Sequence, residues 1–215
     1  AHPLVNLPAI KAASFTAVVD GVNSVGGIAI PALLDALGVH CTKLYCDPTG
    51  HFPHNPEPLK EHLGDLSHEV IRAKADLGIV VDPDVDRLAF MDEKGEMFGE
   101  EFTLVACADY VLSKTPGNTV SNLSSTRALR DVTESAGGEY YASAVGEVNV
   151  VAQMKAKKAV IGGEGNGGII DPNLHYGRDA LVGVALFLSL LAERKCTVSV
   201  LKAGYPVYFM SKGKI

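Results

Sequence analysis

Leu77-Gly78-Ile79-Val80-Val81-Asp82-Pro83-Asp84-Val85-Asp86-Arg87 is the stretch that decides how the rest of the chain is read. Its first five residues are a short apolar run rich in β-branched side chains, the pattern of a buried strand. Its last six set three carboxylates at alternate positions, with an arginine directly behind them. Two carboxylates about 4 Å apart repel by roughly 4 kcal/mol at an effective dielectric near 20. Without a cation, at least one of the three tends to hold a proton. Hard divalent cations take oxygen ligands, and Mg²⁺ takes few of them from protein and the remainder from water or phosphate. The stretch therefore reads as a metal loop at the C-terminal end of a buried strand, with Asp82, Asp84 and Asp86 as ligands. The planar fork of Arg87 suits either those carboxylates or a phosphate.

Two other readings of the loop are available. A calcium EF-hand loop also begins D-x-D-x-D, and the twelfth residue counted from Asp82 is the acidic Glu93. The sixth position is Arg87, however, where that loop needs glycine for its sharp turn, and the flanks are strand-like rather than helical. Taken alone, the hexapeptide is also compatible with a solvated acidic turn.

Outward from this stretch, β-rich apolar runs alternate with runs of helical period. Residues 15–19 read as a strand, 28–37 as a helix stopped by Gly38, 43–46 as a strand and 63–75 as a helix. Residues 77–81 and 88–91 flank the acidic loop as strands, and 102–112 form an apolar helix with Glu100 and Glu101 at its N-terminus, where negative charge is favoured. Thr115-Pro116-Gly117-Asn118 is the strongest boundary signal. Beyond it the alternation restarts, with strands at 119–123, 140–143 and 159–161 and helices at 126–136, 148–155 and 179–192. Such alternation predicts two successive α/β domains, each a mixed sheet flanked by helices. They are expected over residues 1–115 and 116–204, with 205–215 as a linker. No internal sequence repeat is visible.

The 215 residues carry 19 basic and 25 acidic side chains, a net charge of −6, spread along the chain. A nucleic-acid surface needs grouped Lys and Arg and is not expected. Hydrophobic residues make up 47% of the chain, enough for a sizeable core, but no apolar run approaches the ~20 residues of a membrane span. Ala1-His2-Pro3 is not a signal sequence. Cys41, Cys46, Cys107 and Cys196 form no CxxC pair and read as reduced thiols of a cytoplasmic protein.

A second motif is Gly162-Gly163-Glu164-Gly165-Asn166-Gly167-Gly168, after the 159–161 strand. It satisfies G-x-G-x-x-G literally, but the dinucleotide fingerprint requires a helix to open there. Ile169-Ile170-Asp171-Pro172 reads instead as extended chain and a turn. Such a loop lets backbone approach a ligand closely. It presents Glu164, an acceptor, and Asn166, donor and acceptor, at alternate positions, a pairing suited to vicinal hydroxyls. A tight structural turn is the plainer alternative. Downstream, Asp179 reads as an N-cap, while Arg178 suits a phosphate or a pairing with Asp179 or Glu164.

In this order the two loops resemble the α-D-phosphohexomutase family of phosphomannomutases, phosphoglucomutases and phosphoglucosamine mutases. Residues 82–87 resemble the family's magnesium loop, D-G-D-x-D-R or D-P-D-x-D-R. Residues 163–167 are similar to its sugar-specificity loop, G-E-x-S-G. Residues 18–27, the Asn55-Pro56-Glu57-Pro58 segment, Gly99-Glu100-Glu101 and the stretch around Gly146 are lesser echoes. The resemblance covers the family's second and third domains. It implies Mg²⁺ on Asp82, Asp84 and Asp86, phosphate neutralisation by Arg87, and hexose phosphate contacts at Gly146, Gly163, Glu164, Asn166 and Arg178. It also implies a phosphoserine mechanism with a bisphosphate intermediate and activation by a glucose 1,6-bisphosphate-type compound. Neither a T-A-S-H-N-P-like serine segment nor the C-terminal phosphate-binding domain occurs in these residues. The resemblance thus implies the middle of a longer enzyme, partnered by N- and C-terminal domains of the same polypeptide and inactive alone. A non-catalytic metal- and sugar-binding module is the alternative. Asn166 departs from the commoner serine, and Gly168 stands where many relatives carry histidine; His175 is nearby and reads as a solvated loop residue.

Overall fold

A computed structural model of the chain describes residues 2–208. The first unit runs α1 (Leu7–Ala13), β1 (Thr16–Asp20), α2 (Gly26–Leu37), β2 (His40–Leu44), α3 (Gly64–Ala73), β3 (Leu77–Val81), β4 (Leu88–Met91) and α4 (Glu100–Lys114). The second runs β5 (Asn118–Asn122), α5 (Ala128–Ser135), β6 (Tyr140–Ser143), α6 (Glu147–Lys157), β7 (Ala159–Glu164), β8 (Gly168–Ile170), α7 (Ala180–Arg194) and α8 (Val198–Ala203). The run at 77–81 is a strand with every residue buried, as its composition predicts.

Each unit holds a four-stranded mixed sheet. The orders are β2-β1-β3-β4 and β6-β5-β7-β8, and in both the last strand is antiparallel while the others are parallel. The expected pair of α/β units with mixed sheets is therefore present. A topological repeat that the sequence does not show is present too: β-α-β-α-β-β-α occurs twice. Identical topology needs only the same pattern of apolar periods, which unlike side chains satisfy equally well.

The main core is continuous across both units. Ile79, Val81, Leu88 and Phe90 of the first sheet share it with Ile161 and Ile169 of the second. Between them lie α4 and α7, which pack on each other and supply Leu104, Val111, Leu186, Phe187 and Leu190. Phe187 stacks on Phe90 at 3.8 Å between centroids and meets Phe98 edge-on at 5.2 Å. Smaller clusters cover the opposite faces, one where Leu66 and Val70 of α3 meet Val18 and Val80, the other where Val150 and Met154 of α6 meet Val120.

Several elements depart from expectation. β2 ends before Tyr45, whose φ of +50° leaves the extended region. Helix α1, started by the side chain of Asn6 accepting from Ala9 N–H and by an early proline, is too short for its period to register. α8, capped by Thr197, is six residues long. Residue 205, the expected start of a linker, is buried: the Tyr205 ring packs on Phe98 and Phe102, and its hydroxyl donates to Asp109 Oδ2 at 2.7 Å. The rest of the expected linker, from residue 209, lies outside the described residues.

Candidate functional site

The two motif loops occupy the same place in the two units. Residues 82–87 join β3 to β4, and residues 165–167 join β7 to β8. Backbone bonds stitch them together. Leu88 N–H donates to Gly167 O at 3.1 Å, and Ala180 N–H, at the start of α7, donates to Val85 O at 3.0 Å.

In the acidic loop, Asp82 is buried and its Oδ1 accepts from the N–H groups of Asp86 and Arg87, both at 3.0 Å. These bonds fold the loop back over its first residue and place Val85 at φ +61°, an uncommon conformation for a β-branched side chain. Ser24 Oγ donates to Pro83 O at 2.7 Å and fixes the outer side. Asp84 is exposed and Asp86 half-buried, and one carboxylate oxygen from each of the three residues lies within 4.8 Å of the others. Burial pushes Asp82 up to about 7; the Arg87 N–H opposes the rise, and the charges of Asp86 and Asp84 add to it. Among the described residues, Asp86 Oδ1 is buried without a hydrogen-bond partner. An all-oxygen donor set, a carboxyl reluctant to ionise and an orphaned oxygen together fit a hard divalent cation. The EF-hand alternative fails: β4 intervenes before Glu93, which instead accepts from the backbone and hydroxyl of Ser199.

Arg87 donates through Nη1 to Glu57 Oε1 at 3.0 Å, and its Nε lies 3.5 Å from Asp82 Oδ2 and 3.8 Å from Asp86 Oδ1. The carboxylates of its own loop and Glu57 of the N-P-E-P segment thus share it.

In the glycine loop a strand follows rather than a helix, so the dinucleotide fingerprint is excluded. Gly167 sits at φ +90°, and a Cβ there would lie 2.1 Å from Leu88 O. A Cβ on Gly163 would lie 2.1 Å from Gly168 O. Glu164 is 4% exposed. Its Oε1 accepts from Asn122 Nδ2 at 2.7 Å and Gly146 N–H at 3.2 Å, and its Oε2 accepts from Arg178 Nη1 at 2.9 Å. Asn166 Oδ1 accepts from Gly168 N–H at 3.2 Å.

Of the nine sequence-predicted positions, Asp82, Asp86, Arg87, Arg178, Glu164 and Gly146 form one connected network. Asp84 joins through the proximity of its carboxylate, and Gly163 and Asn166 lie beside the network in the glycine loop without a bond to it. Arg178 is the hub, pairing with Asp86, Glu147 and Glu164. Asp179 is an N-cap, accepting from Leu181 and Val182 N–H, and His175 contacts it from an exposed position. Glu147 and Asn122 were not legible as site residues. The only sequence signal of Glu147 is an acid beside Gly146 at a helix start, and Asn122 is one polar residue at a strand end.

Residues 1–95 match the family model described as phosphoglucomutase/phosphomannomutase alpha/beta/alpha domain II, and residues 99–208 match that of domain III. The division falls ahead of α4, whereas the sequence signal for a boundary lies behind it. A probable phosphoglucosamine mutase of Methanopyrus kandleri is 36% identical over 193 residues, covering 89% of this chain and 43% of that protein. A phosphoglucomutase/phosphomannomutase of Thermococcus kodakarensis is 33% identical over 212 residues, covering 98% of this chain and 46% of its own length. The crystal structure of a phosphoglucomutase/phosphomannomutase family protein from Burkholderia thailandensis superposes with a TM-score of 0.83 at 30% identity, over 94% of this chain and 46% of the other. The chain thus spans less than half the length of these relatives. With both units matched in order, and with the two loops meeting between them, the chain belongs to the phosphoglucomutase/phosphomannomutase family of phosphohexomutases, of which it carries domains II and III.

Proposed function

We propose that this chain is the metal- and sugar-binding middle of a cytoplasmic mutase that moves phosphate between the 1- and 6-positions of a hexose phosphate through a phosphoserine and a bisphosphate intermediate. The observation that carries the reading is the backbone bond from Leu88 to Gly167, which holds an acidic loop and a hydroxyl-suited loop side by side. Asp82, Asp84 and Asp86 hold Mg²⁺, which when bound neutralises charge on the transferring phosphoryl group. Arg87, already poised beside two of those carboxylates, adds its fork to the same phosphate.

On the sugar side, Gly163 and Gly167 keep the backbone close, and Glu164 and Asn166 face the hydroxyls. Three donors already engage the Glu164 carboxylate, which leaves room for about one more of its roughly four lone-pair sites. Asn166 Oδ1 already accepts from Gly168 N–H, so its amide nitrogen and one lone pair of the oxygen are left for a hydroxyl. Gly146 acts by donating to Glu164. Around the two loops, among the described residues, Glu57, Asp82, Asp86, Glu147 and Glu164 pair with two cations, Arg87 and Arg178, and Asp84 adds a further negative charge. A substrate phosphate finds little spare positive charge there, in keeping with the phosphoserine and a phosphate-binding domain being supplied by other parts of a longer polypeptide. Without a T-A-S-H-N-P-like segment, these residues alone act as a binding module with no turnover.

The test is an assay of the full-length enzyme primed with glucose 1,6-bisphosphate and supplied with mannose, glucose and glucosamine phosphates in turn. Interconversion of the 1- and 6-phosphates of at least one sugar is expected, and Mg²⁺ removal should stop it. No turnover with any of the three would overturn the proposal.

A further inference from the structure

Arg178 donates each of its three nitrogens to a different carboxylate. Nη2 pairs with Asp86 Oδ2 in the acidic loop, Nη1 with Glu164 Oε2 at 2.9 Å, and Nε with Glu147 Oε2 at 2.9 Å. These acceptors belong to the β3–β4 hairpin, the end of β7 and the first residue of α6. The side chain is 16% exposed. Burial works against its charge, but the neighbouring carboxylates outweigh that and raise its pKa above the ordinary arginine value.

The residue is itself held in place. Asp179 N–H, next along the chain, donates to Ile169 O at 2.8 Å, and Ala180 N–H donates to Val85 O. The stem lies over Gly168, where a Cβ would come within 2.4 Å of Arg178 Cδ. A side chain at position 168 would therefore displace the stem, which gives the glycine at that position a physical reason. With three of its five N–H groups on carboxylates and its stem enclosed, Arg178 is engaged chiefly in holding those carboxylates.

We propose that Arg178 is a positioning residue that sets the metal ligand Asp86 and the sugar-loop carboxylate Glu164 in one rigid frame. This rests on the reading of the acidic loop as a metal site. Asp86 has two oxygens with different fates: Oδ2 is tied to Arg178, and Oδ1 is buried, 3.8 Å from Arg87 Nε and without a hydrogen bond among the described residues. Holding one oxygen fixes the rotation of the carboxyl group and so aims the other. This is how groups behind a metal ligand tune affinity, and losing such a group costs on the order of 10–100-fold. The planar fork is what allows three carboxylates to be held at fixed mutual directions; a lysine ammonium keeps the charge but imposes no such plane.

The experiment is a Mn²⁺ titration of the 215-residue chain, followed by electron paramagnetic resonance, for the wild type, Asp84→Ala, Arg178→Lys and Arg178→Met. Thermal unfolding of each is followed in parallel by circular dichroism. The wild type is expected to bind one Mn²⁺ that Asp84→Ala abolishes. Both Arg178 variants are expected to stay folded and to bind about ten-fold more weakly, Lys failing to rescue. Wild-type affinity in Arg178→Lys would show that charge alone suffices and would overturn the proposal. Tighter binding by Arg178→Met would overturn it by making Arg178 a competitor of the cation. Loss of fold in both Arg178 variants would overturn it by making Arg178 a folding residue. If the wild type binds no Mn²⁺ that Asp84→Ala removes, the metal reading under Proposed function is what fails, and this inference falls with it.

Discussion

Gly167 shows how much a single missing methyl group can carry. Its φ of +90° is a region that side chains avoid, and its α-carbon faces Leu88 O too closely for any Cβ. Gly167→Ala should therefore strain the backbone and part the two loops, at a cost of about 2–3 kcal/mol. For a chain of this size that lowers Tm by roughly 5–10 °C, measurable by calorimetry. An unchanged Tm would mean the seam between the loops contributes nothing to stability. Contiguous chemistry was legible at this scale: three carboxylates in six residues mark a candidate cation site, and the fold brings one oxygen of each within 4.8 Å of the others. Arg178 was legible only in part. A pairing with Glu164 was among its readings, while Asp86 and Glu147 were not, because they are adjacent only once two hairpins and a helix start converge. Glu57 on Arg87 was hidden for the same reason.

Among the elements, α7 connects the two units. Its residues 184–191 are all buried, so its sequence has no polar stripe and reads as a core helix rather than a surface one. It faces β4 on one side and β8 on the other, and Phe187 lies in the seam against Phe90 and Phe98. Phe187→Ala should cost about 3–5 kcal/mol through lost transfer energy and the cavity left behind. Urea unfolding at constant m-value is the measurement, and a loss under about 1 kcal/mol would contradict the packing described. Strands flanking the acidic loop were legible to the residue because apolar composition and length agree there. β2 was displaced because Tyr45 adopts a left-handed backbone angle that composition does not announce. The shortest helices were missed because one or two turns carry too little periodicity to separate from loop.

At the level of the molecule, the two sheets read as separate domains in the sequence and share one core in the structure. The 115–118 turn is a real break in the chain, but α4 on its near side packs against α5, α7 and β7 of the second unit. A division by turns and a division by buried contacts therefore differ here by the length of one helix. With a continuous core, unfolding is expected to be a single transition. Calorimetric and van't Hoff enthalpies should agree, and far-ultraviolet dichroism and aromatic signals should change together. Two resolved transitions would show that the units fold independently despite their common core.

The bond between Leu88 and Gly167 is made by backbone atoms alone, on two loops that hold corresponding positions in a repeated topology. The bond itself uses no side chain at 164 or 166, although Glu164 is also tied to the acidic loop through Arg178 and Asp86. A change at 166 leaves that bond and the Arg178 frame in place, whereas a change at 164 releases Arg178, Asn122 and Gly146. A designer who exchanges residue 166 therefore starts with the spacing of the two loops already set.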